Sequence, residues 1–236
     1  QDGSTVLPDE AQNLELQQLL SDLSEHPDDT NAIEQLNRLL TDVLTQANGL
    51  IDNGYAAQAE QLVLLVKSIN PDLPGLNEVS NHLQSMNEIV ALLDKGNEAV
   101  ELQRILEPED QSALHYFNEV LKLDPGNPGA EAGLVKVQDA LIKRAFQSAN
   151  DFDFEVAGAW LSEAAEVRED RERIEGARLE IDASWGEHAT GLEQDAISAM
   201  NSGEFNLANR KIIDLIAMGG QAETIDSLRD RMEDAR

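Results

Sequence analysis

The sequence predicts an all-α fold, a solenoid of stacked antiparallel helix pairs. Three turns of similar composition contain Pro27, Pro71 and Pro125, and each turn lies between two amphipathic stretches with the helical period. Aromatic residues make up only 4% of the chain, and no run of alternating β-branched residues indicates a strand. Because a repeated helical unit buries its apolar face only against its neighbours, the pattern predicts an extended stack without a single catalytic cleft.

The spacing of the turns defines the expected repeats. The step from Pro71 to Pro125 is somewhat longer than the step from Pro27 to Pro71, and similar steps reach Glu169 and Gly220, where the helix–turn–helix pattern recurs without proline. We expect residues 1–8 to be a flexible lead-in and residues 9–236 to form one domain of about four to five repeats. The expected repeat junctions lie near residues 27, 71, 125, 169 and 220.

In the first half of the chain, the helices follow from apolar stripes and their end signals. Asp29 or Thr30 can cap the second helix, and Asn53-Gly54 is a strong stop signal at its end. Gly96 is a candidate kink in the fourth helix. The predicted helices span residues 9–24, 30–53, 55–69, 76–106 and 112–123.

The second half continues the pattern. Asn150, the Asn201-Ser202-Gly203 segment and Gly219-Gly220 end helices, while Gly186 and Gly191 are candidate interruptions of a long one. The last helix either caps the stack or is the first half of a further repeat. The predicted helices span residues 130–149, 152–167, 171–200, 204–218 and 222–236.

The second helix of each pair shares a motif that amphipathicity alone does not require. A small residue is followed by apolar residues four and seven positions later and by a turn residue after twelve. The four copies read Ala59, Val63, Val66, Pro71; Ala113, Phe117, Val120, Pro125; Ala157, Leu161, Ala164, Glu169; and Ala208, Ile212, Leu215, Gly220. This motif resembles the tetratricopeptide repeat (TPR), which implies a right-handed α-solenoid.

The first helices match the TPR pattern in part. Ala47, Ala145 and Ala196 lie twelve residues before the small residue of their second helix, where the family has Ala or Gly. In the second pair Glu101 falls there, as if the segment 107–110 were an insertion. The repeats are longer than those of the family, and the tryptophan and Gly-Tyr signature is missing. The resemblance therefore implies divergent repeats with elongated first helices.

TPR proteins generally bind partner peptides in a concave groove lined by first helices. The resemblance carries those groove positions onto this chain as Thr41, Leu44, Asn48, Ile51, Asp52; Asp139, Ile142, Phe146, Ala149, Asn150; and Thr190, Glu193, Ile197, Met200, Asn201. The candidate partner-binding residues are Thr41, Asn48, Asp52, Asp139, Phe146, Asn150, Thr190, Glu193 and Asn201. The recurring Asn or Asp at the last position has two open explanations, contact with a peptide backbone and an ordinary helix ending.

The net charge of the chain limits the classes of partner that are expected. The net charge is −29, and residues 1–60 contain 12 acidic residues against Arg38 alone, so nucleic acid and anionic lipid surfaces are disfavoured. Where some TPR proteins grip a peptide carboxylate with basic residues, this chain has Leu44, Ile142 and Glu193, which argues against an anionic peptide. A basic or amphipathic protein partner is expected. A general preference for acidic, soluble surfaces explains the charge equally well.

Catalytic, metal and cofactor sites are not expected. Cysteine is absent, and no two of the four histidines have the i, i+4 spacing of a helical metal pair. Residues 151–155 resemble a calcium loop only superficially, and we expect a solvated helix start with Phe152 and Phe154 partly buried. Trp160 and Trp185 are expected to anchor helix packing, although either one on the groove would be a binding hot spot.

These features predict a non-catalytic protein–protein interaction module, part of a larger bacterial protein. The alternative is a rigid spacer or oligomerisation stalk next to a membrane anchor or an enzymatic or signalling domain, and a homo-oligomer fits either function. No stretch reaches the ~18 apolar residues of a spanning helix, so no membrane insertion is expected within this chain. Some bacterial extracytoplasmic proteins have similar irregular TPR-like stretches, which implies an extracytoplasmic or periplasmic location; the alternative is cytoplasmic.

Overall fold

The computed structural model describes residues 10–235. Within that range the regular structure consists of ten α-helices and one 3-10 turn, without a strand, which confirms the all-α prediction. The helices are α1 (Glu10–Glu25), α2 (Thr30–Asp52), α3 (Ala56–Ile69), α4 (Leu76–Glu101), α5 (Ala113–Leu123), α6 (Pro128–Asn150), α7 (Phe154–Val167), α8 (Arg171–Asn201), α9 (Phe205–Ala217) and α10 (Ala222–Asp234). The lead-in predicted for residues 1–8, the predicted helix start at Asp9 and the terminal Arg236 lie outside the described residues.

The chain divides into two compact units. Of the described residues, unit 1 contains 10–94 and 122–125, and unit 2 contains 95–121 and 126–235. The core of unit 1 is formed mainly by α2, α3 and the start of α4, and unit 2 has buried apolar side chains on each helix from α5 to α10. The helix pairs are α2–α3, α4–α5, α6–α7 and α8–α9. In each pair we call the helix that comes earlier in the sequence the first helix and the later one the second helix.

In three of the pairs, the same three-residue turn connects the first helix to the second. The middle residue is left-handed in each, with φ of 81° at Gly54, 63° at Phe152 and 74° at Gly203. The amide of the next residue donates to a carbonyl five residues earlier, for example Tyr55 N to Leu50 O at 2.8 Å. This hydrogen-bond pattern satisfies the last free carbonyls of the first helix, so it fixes where each second helix begins.

The small residues of the sequence motif lie at the helix crossings. Each is fully buried, with 0% exposure for Ala59, Ala113, Ala157 and Ala208 on second helices and for Ala47, Ala145 and Ala196 on first helices. At such positions the absence of a larger side chain lets the two helix backbones approach each other. The motif therefore marks packing positions in both units.

The predicted course of α4 was wrong. This helix does not continue to Leu106; it ends at Glu101, because Gln103 takes the left-handed position with φ of 58°. Ala113 follows Gln103 by ten residues, whereas Ala59 follows Gly54 by five. Five extra residues thus separate the turn from the motif alanine of α5.

This insertion changes which residue packs at the crossing of α4 and α5. Glu101, the position given by counting back from Ala113, is exposed. Gly96 occupies the crossing instead, and a Cβ there would lie 2.6 Å from the ring of Phe117. The Phe117 ring therefore packs against two glycines, Gly96 of α4 and Gly133 of α6, where an added Cβ would lie 2.4 Å from the ring.

Helices α7 and α8 also differ from the predictions. Helix α8 is continuous from Arg171 to Asn201, and Gly186 and Gly191 lie within it without interrupting it. Helix α7 begins at Phe154, not Phe152, because Phe152 is the left-handed residue of the preceding turn. Phe152 is consequently 49% exposed and not partly buried as expected.

Candidate partner-binding face

All nine candidate residues lie on first helices. Five are exposed, namely Thr41, Asp52, Asn150, Thr190 and Asn201. Four are partly buried, namely Asn48, Asp139, Phe146 and Glu193. The apolar groove positions serve packing, since Leu44, Ile51, Ile142, Ala149 and Met200 are all buried in the cores. The polar members, together with Phe146 and Ile197, are thus the groove positions that are not fully buried.

In unit 1, Asn48 and Asp52 are joined to the next first helix by His82. The Nδ1 of His82, on α4, lies 3.0 Å from Asn48 Oδ1, and its Nε2 lies 3.8 Å from Asp52 Oδ1. Asn48 Nδ2 also donates to Asp52 Oδ2 at 3.4 Å. These two candidates therefore already have partners within the chain.

The same kind of contact recurs in unit 2. Lys136 Nζ, on α6, donates to Asn97 Oδ1, on α4, at 2.9 Å. Asn97 follows the crossing residue Gly96 as Asn48 follows Ala47. The step from Asn97 to Lys136 is longer than the step from Asn48 to His82, and the five-residue insertion accounts for the difference.

A third contact between successive first helices involves the candidate Asp139. Its carboxylate forms an ion pair with Arg173, on α8, and the step between these two residues equals the step from Asn48 to His82. Sequence reasoning missed His82, Lys136 and Arg173. The signal that could have found two of them, His82 and Arg173, is a polar or charged residue 34 positions after a groove residue.

Unit 1 contains an open cavity beside Thr41, which we call the Thr41 cavity. Its volume is about 580 Å³. An ion pair on its lining joins the exposed Arg38 and Glu34, 3.7 Å apart, and such exposed pairs contribute little. The lining residues are Glu34, Asn37, Arg38, Thr41, Asp42, Leu73 and Pro74.

Unit 2 contains a smaller cavity of about 200 Å³ between α8 and the start of α10, which we call the Thr190 cavity. Its lining includes Trp185, Thr190 and Glu193 of α8 and Gln221 and Thr224 at the start of α10. Trp185 Nε1 donates to the Met218 carbonyl at 3.0 Å, so the indole is held in place at the wall. Trp185 thus serves packing and lines a groove cavity at once.

The two cavities occupy the same register position. Thr41 precedes the crossing residue Ala59 by the same number of positions as Thr190 precedes Ala208. In the pair α6–α7 this position is Asp139, which the ion pair with Arg173 occupies. The same position of the repeat therefore lines a cavity in the pairs α2–α3 and α8–α9, whereas in the pair α6–α7 an ion pair occupies it.

A separate feature lies at the turn between α6 and α7. The exposed ring of Phe152 stacks on His188, on α8, with ring centroids 3.6 Å apart and 13° between the planes. Nothing in the sequence pattern predicted this stack, because residue 152 had been assigned to a helix.

The part of the chain that the structure describes has neither a metal-binding cluster nor a membrane-spanning helix. Residues 10–235 contain no cluster of three or more His, Cys, Asp or Glu side chains able to hold a metal ion. Among the same residues, no helix combines the length and the apolar character needed to cross a bilayer.

Comparisons of the chain with protein-family models, with curated proteins and with solved structures found no match.

Proposed function

We propose that this chain is a non-catalytic protein-interaction module in which the helix pairs form a TPR-like, right-handed α-solenoid and a partner peptide binds along the first helices. One observation carries the proposal: the Thr41 and Thr190 cavities lie at the same register position in two separate units. A binding face that follows a repeat is expected to present the same position more than once.

The contacts within the chain narrow the set of binding residues. Asn48, Asp52 and Asp139 already contact the neighbouring first helix, so they contribute to a partner only indirectly. The remaining candidates are the ones we assign to direct contact: Thr41, Phe146, Asn150, Thr190, Glu193 and Asn201.

The partner that fits this face is a basic or amphipathic protein segment. A net charge of −29 attracts cationic partners over long distances and speeds their association, whereas it repels nucleic acid. We further propose that the module belongs to a larger bacterial protein outside the cytoplasm, anchored through a segment beyond this chain; the alternative location is cytoplasmic.

Hydrogen exchange with a defined probe tests the proposal. The probe is an acetylated, amidated nonapeptide of alternating Leu and Arg, and its control replaces each Arg with Glu. We expect the Leu/Arg peptide to slow exchange at backbone amides of α2, α6 and α8 and to leave α3, α7 and α9 unchanged. Slower exchange on the second helices, no change at all, or the same effect with the Glu peptide would contradict the proposal.

A rigid spacer or oligomerisation stalk is the second candidate, and the contacts between first helices favour it. His82, Lys136 and Arg173 each engage a groove residue of the preceding first helix, which stiffens the array and uses groove side chains internally. Sedimentation velocity over a range of concentrations distinguishes the two. A concentration-dependent dimer whose formation slows exchange on the first helices supports the stalk.

A further inference from the structure

We infer that the Thr190 cavity binds the side chain of an arginine on the partner. The inference deepens the proposed function and rests on it.

The lining of the cavity matches a guanidinium group. Trp185 offers an aromatic ring, and Glu193 offers a carboxylate on the same wall. Arginine stacks on aromatic faces and donates paired hydrogen bonds to carboxylates, a combination that lysine provides less well. Thr190 Oγ1 donates to the Gly186 carbonyl at 2.8 Å, so its oxygen remains an acceptor for a further donor.

Glu193 lacks a cationic partner within residues 10–235. Lys211 of the neighbouring helix α9 pairs instead with Asp195, at 2.9 Å, on another side of α8. Glu193 is also partly buried, so a charged group beside it would be less screened than at an open surface. The cavity thus contains a carboxylate whose counter-charge is not supplied by the described chain.

The preceding pair shows what occupies this position when the chain supplies the cation itself. Asp139 and Thr190 are equivalent positions of successive pairs, and the same step along the chain leads from Arg173 to Thr224. In the pair α6–α7, Arg173 contacts Asp139. In the pair α8–α9, the short Thr224 stands where the arginine would be, and the acidic residue lies one turn along, at Glu193. The Asp139–Arg173 contact is therefore an internal precedent for an arginine from outside.

The first experiment uses two small probes. N-acetyl-arginine amide and its neutral isostere N-acetyl-citrulline amide are titrated while the indole NH signals of Trp185 and Trp160 are followed by NMR. We expect the arginine probe to shift the Trp185 signal in a saturable manner and the citrulline probe to shift it far less. E193Q should weaken binding by about tenfold, and E187Q, an equal charge change at an exposed site on α8 outside the cavity, by less than about twofold.

In the second experiment, a substitution in the chain itself supplies the cation. T224R places an arginine at the position equivalent to Arg173, and we expect it to abolish the response of Trp185 to the arginine probe. S227R makes the same charge change at an exposed residue of α10 outside the cavity and should retain the response.

The outcomes separate this inference from the proposed function. An unmoved Trp185 signal, or equal weakening by E193Q and E187Q, overturns the arginine site, while slower exchange on the first helices with the Leu/Arg nonapeptide still supports groove binding. A saturable Trp185 response without any effect of the nonapeptide overturns the proposed function and leaves an isolated arginine site.

Discussion

The pairs α6–α7 and α8–α9 share their packing positions and differ, among other places, at the surface position of Asp139 and Thr190. Both have the three-residue left-handed turn and fully buried crossing alanines. The first pair closes the groove position with the Asp139–Arg173 ion pair, whereas the second leaves the Thr190 cavity. The buried crossing residues are thus kept in both pairs, while the residue at this surface position differs.

Enlarging a crossing residue should have the largest effect, and it should affect both pairs equally. A145L and A196L each place a large side chain where exposure is 0%, and we expect each to lower the free energy of unfolding by about 1–3 kcal/mol. Urea denaturation measures the change, and A132L at an exposed site of α6 is the control. An effect confined to one of the two pairs would show that their crossings are not equivalent.

The two pairs also hold the end of their second helix differently. Buried Gln138 donates to the carbonyls of Ala164 (3.0 Å) and Arg168 (3.2 Å), and Trp185 donates to one carbonyl. We expect Q138L to cost about 1–2 kcal/mol of unfolding free energy and W185F about 0.5–1.5 kcal/mol, since fewer carbonyls lose a donor. Urea denaturation of both variants tests the order; a costlier W185F would reverse this part of the comparison.

Helix α8 contains two glycines near its cavity where α6 has Val135 and Ala140. These are Gly186 and Gly191, and a Cβ added at Gly191 would meet no atom within 4 Å. We expect G191A to stabilise α8 by about 0.5–1 kcal/mol, because alanine loses less backbone entropy in a helix. Slower hydrogen exchange in α8 would show it. Unchanged exchange would indicate that the glycines do not loosen this helix.

Breaking the ion pair should have the smallest effect. The side chains of Arg173 and Asp139 are 45% and 42% exposed, so we expect a coupling energy of about 0.2–1 kcal/mol that decreases as salt is added. A double-mutant cycle with D139N and R173Q measures it. A coupling that does not respond to salt would contradict the electrostatic explanation of the closed position.

Local signals in the sequence predicted most helix ends, and they failed where a left-handed residue is not glycine. Asn53-Gly54 and Gly203 allowed their turns to be predicted, because glycine is the usual residue at a left-handed position. Gln103 and Phe152 take the left-handed conformation although they are not glycine. The helix predictions around those two residues were wrong for that reason. Alanine at the crossings was recognisable because close packing allows few alternatives.

The candidate site was predictable in position but not in its contacts. Thr190 and Glu193 were expected from the TPR resemblance through the register of its motif, and both line a cavity. Gln221 and Thr224, which complete that cavity, come from the next helix, and their approach depends on tertiary packing. The link from Asn97 to Lys136 was hidden as well, because an insertion shifted the register by five residues.

The extra residues between Arg104 and Ser112 bear on how this chain can be modified. They lie after the left-handed turn, and the Ala113 amide still donates to the Arg104 carbonyl at 2.8 Å. Added length at this point leaves both the end of the first helix and the crossing of the second in register. We expect the corresponding points after Tyr55, Asp153 and Glu204 to accept grafted loops or labels, which makes each turn a natural place to extend the protein.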